Sequence, residues 1–277
     1  MNVGSSWKYD DLQFHGMSLS GIRTSLTMPE LHIAFDTAQG FPFLIPMKKF
    51  FISHGHLDHA AGIPYIISQK NLFRMPLADY YMPPSLVEPL TQIMNLWEKI
   101  EDHKYNFNFI GVGQDEIPIN SNYFMRAFPT YHRVESFGYT LFKRTYKLSD
   151  RFRGASREQI IQARKTGEII DQAHDFPLVS FTGDTKIEFL TGPDWIRKSK
   201  ILILESTYLD GKKTIQQARD WGHTHLDEII PHLDEIESEK IVLIHISSRY
   251  SIAEASQLIE QKIPKKHLER IVIFPGR

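Results

Sequence analysis

The chain has 277 residues, 42% of them apolar and 23% charged, with a formal net charge of -1. That length can bury a large core, and residues 1–277 are expected to form one α/β domain. The near-zero charge excludes a global attraction to nucleic acid, leaving only a local patch for such binding, and the absence of cysteine removes disulfides, zinc–thiolate sites and cysteine nucleophiles together. Histidines and carboxylates are left as metal ligands. The first ten residues show no basic start followed by an apolar core, and no apolar run approaches the length of a membrane span. A cytoplasmic protein with no membrane partner is therefore expected.

Leu31-His32-Ile33-Ala34-Phe35-Asp36 alternates and meets Gly40, predicting a strand that closes in a turn, with His32 structural. The strand-like run Lys49 to Ile52 then enters Ser53-His54-Gly55-His56-Leu57-Asp58-His59-Ala60-Ala61-Gly62. Imidazole is the commonest metal-binding side chain, and zinc takes His nitrogen and carboxylate oxygen together. Extended backbone through His54 and His56 would put both on one face. Asp58 and His59 would follow in a tight turn, aimed at a neighbouring second ion, and Gly55 lets the backbone bend closely.

Ile63 to Gln69 reads as helical. Pro83-Pro84-Ser85 opens a longer helix with a Ser85–Glu88 capping box, and Leu86, Leu90, Ile93, Met94, Trp97 and Ile100 form a stripe expected to be core. Strands are predicted at Phe107–Ile110 and Tyr123–Phe128, the second delivering His132 past its end. Between Lys143 and Asp175 there is no proline, and Ser156 to Gly167 reads as a short capped helix with a glycine stop. Lys143 to Lys165 carries eight basic residues against Asp150 and Glu158, with Tyr146 and Phe152 available for stacking: an RNA-steering patch or a solvated helix face. Further apolar strands end in Thr182-Gly183-Asp184-Thr185, in Glu205-Ser206-Thr207 and in His245-Ile246-Ser247-Ser248-Arg249-Tyr250, and Trp221-Gly222-His223-Thr224-His225 lies between the last two. A Gly-Asp pair at a strand end could otherwise be a plain turn, but its place after a buried strand in a chain carrying the histidine motif favours a metal ligand.

The His-x-His-x-Asp-His motif resembles the signature of the metallo-β-lactamase superfamily, which implies an α/β four-layer αβ/βα sandwich holding one or two metals at its edge. An aspartate in the position of Asp36 supports the metal-binding loop in that family. His132 followed by Ser136-Phe137-Gly138-Tyr139, together with the Thr-Gly-Asp-Thr, Glu-Ser-Thr, His-x-Thr and His-x-Ser-x-Arg-Tyr elements, resembles the ribonuclease Z branch, which processes tRNA 3′ ends. The resemblance implies two divalent ions: Zn²⁺, with Mn²⁺ or Fe also suited. One would be held by His54, His56 and His132 and the other by Asp58, His59 and His245, with Asp184 bridging. It further implies a metal-bridged hydroxide attacking a phosphodiester, Asp58 accepting its proton and His223, oriented by Glu205, protonating the leaving oxygen.

His225 stands in the motif's neighbourhood where the family has Thr. Either histidine could face the site, and His223 is preferred for its place after Gly222, which leaves His225 to start a helix. Ser248 and Arg249 would hold a substrate phosphate. Family members are commonly homodimers, and pre-tRNA is the implied partner. The family's Gly/Pro-rich arm that grips tRNA is not recognisable here. The alternative is therefore a same-fold hydrolase acting on a small ester, lactone or cyclic phosphodiester. A non-catalytic scaffold is a third reading, against which the complete ligand set speaks.

Overall fold

Short apolar runs buried on both faces set the architecture, seen in a computed structural model that describes residues 3–274. In β12 (Ile201–Glu205) every residue is buried. Ile201 and Ile203 point into one apolar cluster and Leu202 and Leu204 into another, as the two-residue period of a strand requires. The same split occurs in β13 (Lys240–Ile244), where Val242 and Ile244 face one way and Ile241 and Leu243 the other.

Two seven-stranded sheets result. The first runs in chain order through β1 (Ser5–Tyr9), β2 (Leu12–Leu19), β3 (Arg23–Met28), β4 (Ile33–Phe35), β5 (Lys49–Phe51), β6 (Asp79–Met82) and β7 (Asn108–Gly111). The second is built from β8 (Ile117–Pro118), β9 (Tyr123–Pro129), β10 (Phe137–Leu148), β11 (Asp171–Phe181), β12, β13 and β14 (Ile271–Ile273). Each sheet is antiparallel over its first four strands and parallel over the rest.

Phe35, Phe51 and Tyr81 of the first sheet meet Tyr139, Phe181 and Ile203 of the second in a shared core. On its other face the first sheet packs on α2 (Ile63–Leu72) and α3 (Pro84–Glu101) through Phe50, Ile52, Ile66 and Met94. The second packs on α6 (Leu226–Ile229) and α7 (Ile252–Lys262) through Leu204, Ile229, Ala255 and Ile259. Helix, sheet, sheet and helix form the four layers expected. Among the described residues no helix is long and apolar enough to cross a membrane.

Several local expectations change. The predicted alternating strand shortens to β4, because His32 takes a left-handed conformation (φ 52°) and its carbonyl accepts from Lys48 and Lys49. The helix opening at Pro84 has no Ser85 capping box. Pro83 is its N-cap, the Ser85 amide donates to Glu135 at 3.0 Å, and Glu88 accepts from Gln92. The α3 stripe is only partly core: Met94 is buried, while Ile93, Trp97 and Ile100 are exposed.

The stretch after Lys143 is more ordered than a missing arm. β10 and β11 pair outward from Tyr139↔Phe181 to Leu148↔Asp171, and the tip carries α4 (Arg157–Lys165) with a Ser156–Gln159 capping box. Phe152, Ala163 and Ile170 make a small core in that tip, so Phe152 is packed there rather than free to stack, and only Tyr146 is exposed.

Candidate metal centre

Four loops meet where strands of both sheets end. From the first sheet, β5 stops at Phe51, and His54 and His56 follow in irregular backbone before the one-turn α1 (Leu57–Ala60), which carries Asp58 and His59. From the second come His132 after β9, Asp184 after β11, and His245 after β13, where His245 adopts a left-handed φ of 55°. The Thr182-Gly183-Asp184 turn depends on its glycine: φ is +59°, and a Cβ there would sit 2.4 Å from that of Ser53.

The seven side chains converge. The ligand atoms of His54, His56, His132 and Asp184 form one group, those of Asp58, His59 and His245 a second, and those of Asp184, His223 and His245 a third, each within 4.8 Å. Asp184 lies between the groups. Its carboxylate oxygens are 3.3 Å from His59 Nε2, 3.2 Å from His245 Nε2 and 3.9 Å from His54 Nε2. Asp58 Oδ2 lies 3.4 Å from His245 Nε2 and 3.6 Å from His59 Nε2. His132 Nε2 faces His56 Nδ1 at 3.2 Å.

What aims these rings is a set of outer partners, several of them unread from the sequence. Asp36 is fully buried and accepts from the Ser53 amide at 2.7 Å, from Ser53 Oγ at 2.8 Å and from His59 Nδ1 at 2.7 Å. With its proton given to Asp36, Ser53 Oγ accepts from His54 Nδ1 at 2.9 Å. His132 Nδ1 donates to the Gly222 carbonyl at 2.8 Å. Thr207 donates to Glu205 at 2.7 Å and so accepts from His245 Nδ1 at 3.1 Å, while Ser18 Oγ takes the His245 amide at 2.8 Å. In His54, His59, His132 and His245 the Nδ1 proton is therefore committed outward, which turns Nε2 toward the centre.

The same residues fit divalent cations. His54 Nε2, His59 Nε2 and Asp184 Oδ1 are buried with no hydrogen-bond partner, a costly state for polar atoms unless something binds them. Burial holds His54 well below the ordinary imidazole value, helped by the His59 charge, and lowers His56 and His132 as well. Neutral imidazole is the form that binds a metal. Burial would raise Asp58 and Asp184, but the imidazoles around them win and both titrate below the usual carboxylate range. Conversely, burial would lower His59, yet the charges of Asp184 and Asp36 lift it well above the ordinary value. The pocket calls for positive charge, and its donors are all nitrogen and oxygen.

Of the two neighbouring histidines, only His223 joins this cluster. Its ring stands 5.3 Å from that of His132 and 5.2 Å from that of His245, and its Nδ1 is 3.0 Å from Glu205 Oε1. Glu205 is fully buried and also accepts from the Thr185 amide at 2.8 Å, so its carboxylate is fixed. His225 points away. Its Nδ1 caps α6 by accepting from the Asp227 amide at 3.0 Å, and its Nε2 bonds the Asp210 carbonyl at 2.9 Å. Ser248 and Arg249 lie exposed just past His245, with the Arg249 guanidinium 5.9 Å from the Tyr208 ring centroid.

Residues 42–246 match the family described as the β-lactamase superfamily domain. The chain is 32% identical over 268 residues to tRNase Z TRZ1 of Arabidopsis thaliana, covering 95% of both chains. It is 30% identical over 248 residues to the chloroplastic tRNase Z TRZ2 of the same plant, covering 88% of this chain and 70% of the other. The crystal structure of the short form of human tRNase Z superposes with a TM-score of 0.58 over 95% of each chain at 16% identity, a likeness of fold. With the donor cluster at the meeting of two mixed sheets, this chain belongs to the β-lactamase superfamily and, within it, to the tRNase Z family of metal-dependent hydrolases.

Proposed function

We propose that the protein is an endoribonuclease that cuts the 3′ trailer from pre-tRNA, using two divalent ions, of which zinc best suits the donor set. The observation that carries this reading is the complete constellation of His54, His56, Asp58, His59, His132, Asp184 and His245, four of them buried and His56, Asp58 and His132 half-buried, with the Glu205–His223 pair beside it. Held by those seven side chains, the ions would supply an activated water at neutral pH and a clamp on the phosphoryl oxygens. Asp58, kept ionised beside His245 and His59, is placed to take a proton from the attacking water. His223, fixed through Nδ1 by Glu205, keeps Nε2 for the leaving oxygen and gives it a proton. Ser248 and Arg249, at the rim beyond His245, hold a neighbouring phosphate.

The β10–β11 hairpin and its α4 tip are our candidate for the RNA grip. Arg144 is occupied by Asp175 and Glu116, Arg151 by Glu168 and Arg153 by Asp150. Lys143, Lys147, Arg157 and Lys165 are exposed and carry no ion pair among the described residues. Metal-loaded protein should cut pre-tRNA at the trailer junction. Changing those four residues to Ala should flatten the slope of log affinity against log salt by up to about 3–3.5, at roughly 0.7–0.9 per phosphate contact. Turnover of bis(p-nitrophenyl) phosphate should persist in that variant. If the wild type turns over that diester or a lactone but leaves pre-tRNA intact, the endoribonuclease reading is wrong.

We also propose a homodimer, seated on the outer face of α2 and α3. Tyr65, Leu72 and Phe73 are exposed there, as are Ile93, Leu96, Trp97 and Ile100 of α3, with Tyr65 and Trp97 lining one pocket, and apolar side chains grouped in this way suit a partner surface. Sedimentation should give a dimer for the wild type and a monomer for Trp97→Glu. A wild-type monomer at micromolar concentration would refute the dimer alone.

A further inference from the structure

We infer that Trp221, backed by Arg133, is a stacking platform that seats an unpaired nucleobase next to the scissile phosphate. The ring is 58% exposed, and it directly precedes Gly222 and His223. Trp221 caps the C-terminus of α5 (Ile215–Asp220), its amide donating to Ala218, so its backbone is held by the helix. The next residue then turns with a φ of +79°, and the Gly222 carbonyl receives the His132 proton. A Cβ on Gly222 would stand 2.7 Å from His132 Nδ1 and 3.1 Å from the Arg133 amide. The Gly222 backbone therefore lies directly against the His132 ring and the Arg133 amide, and the indole is carried at the border of the donor cluster.

Over that indole lies a cation: the Arg133 guanidinium carbon is 4.9 Å from the ring centroid. Large apolar side chains also crowd the other ligand loops, where a soluble surface would be polar. Leu57, between His56 and Asp58, is 78% exposed, Tyr131 before His132 is 46% exposed, and Val134 is 43% exposed. Each sits within two residues of a proposed metal ligand, so exposed apolar side chains stand at the rim where substrate would arrive. An exposed aromatic ring paired with a guanidinium is what a nucleobase with a phosphate attached requires. The base stacks on the π face, and the guanidinium either stacks on the base or pairs with its phosphate. Neither contact reads sequence, since every base has a π face. The inference rests on the endoribonuclease reading and adds a substrate-positioning role for residues that bear no metal.

The test is a cycle between protein and substrate. Wild type, Trp221→Ala and Trp221→Phe are assayed on pre-tRNA, intact or with an abasic residue at either nucleotide flanking the cleaved bond. On intact RNA, Trp221→Ala should lose roughly 5- to 150-fold in kcat/KM, mostly through KM, the range for removing one base–aromatic stack. Trp221→Phe should recover most of it. With the base of the seated nucleotide missing, the Ala substitution should cost nothing further. Trailer RNA should also quench the fluorescence of the metal-free wild type more than that of Trp221→Phe. If Trp221→Ala loses the same factor on intact and both abasic RNAs, the residue acts only through the Gly222–His132 contact and the platform is overturned. Wild-type rates within twofold on intact RNA overturn it equally. Should the wild type cut no pre-tRNA at all, the endoribonuclease reading fails first and takes this inference with it.

Discussion

His59→Ala should lower metal content from two equivalents to at most one and reduce pre-tRNA cleavage by at least about 10²–10³, the cost of losing a single oriented group that stabilises transition-state charge. His59 is fully buried, with Nδ1 bonded to Asp36 and Nε2 facing both Asp184 and Asp58. Alanine leaves a hole at a point where no other nitrogen can enter, since His245 is tied by Thr207 and His54 by Ser53. Asp36 would also lose a buried partner, and burial already raises its carboxyl against the pull of His59. Where the alanine variant does not fold, His59→Gln fills the space and can still reach Asp36. Elemental analysis beside a thermal melt reads the outcome. A folded variant that retains two equivalents would remove His59 from the ligand set.

His223→Ala should do the opposite: keep both metal equivalents and lose about 10²–10⁴ in kcat, the usual contribution of a positioned acid. Burial disfavours the imidazolium here, but the charge and hydrogen bond of Glu205, and then the charge of Asp184, outweigh it and push His223 up to about 9 from the ordinary 6.5. The sign follows directly. A raised value keeps the proton on His223 through neutral pH, so the acid form is plentiful at pH 7 and is lost as pH rises through about 9. The wild-type rate should fall along that alkaline limb. In His223→Ala the residual rate should lack it. An unchanged alkaline limb in the variant would assign the titration to another group, and loss of metal would make His223 a ligand instead of a proton donor.

How much of this was legible depended on distance along the chain. His54 to His59 packs four donors into six positions, so composition alone announced it. His132, Asp184 and His245 each follow an apolar strand, but it was the resemblance of the surrounding motifs that marked them as ligands. Ser53, Thr207 and Ser18 were not legible, because their roles exist only through partners brought up by folding: Ser18 and His245 are 227 positions apart. His225 shows the same limit from the other side. Its place after Gly222 favoured His223, but only the fold shows the His225 ring turned away to cap α6. The strands β1 to β3 went unread although Asp10 and Gly21 mark their turns with left-handed backbone. The outer halves of β10 and β11 are solvated on most positions, which removes the burial alternation that identifies a strand. The α3 stripe misled for a related reason. Apolar spacing marks one face of a helix, but not how much of that face the rest of the chain covers.

Because His54, His56, Asp58 and His59 come from one sheet and His132, Asp184 and His245 from the other, neither half owns a working centre. The first sheet is complete in sequence at Gly111, well before the last strand, and by itself it carries only four of the seven proposed donors. Cutting power arrives only after position 245 has been synthesised and β13 has taken its place. On the proposed reading, a nascent or half-unfolded copy would hold too few donors to cut RNA, a safeguard that needs no inhibitor.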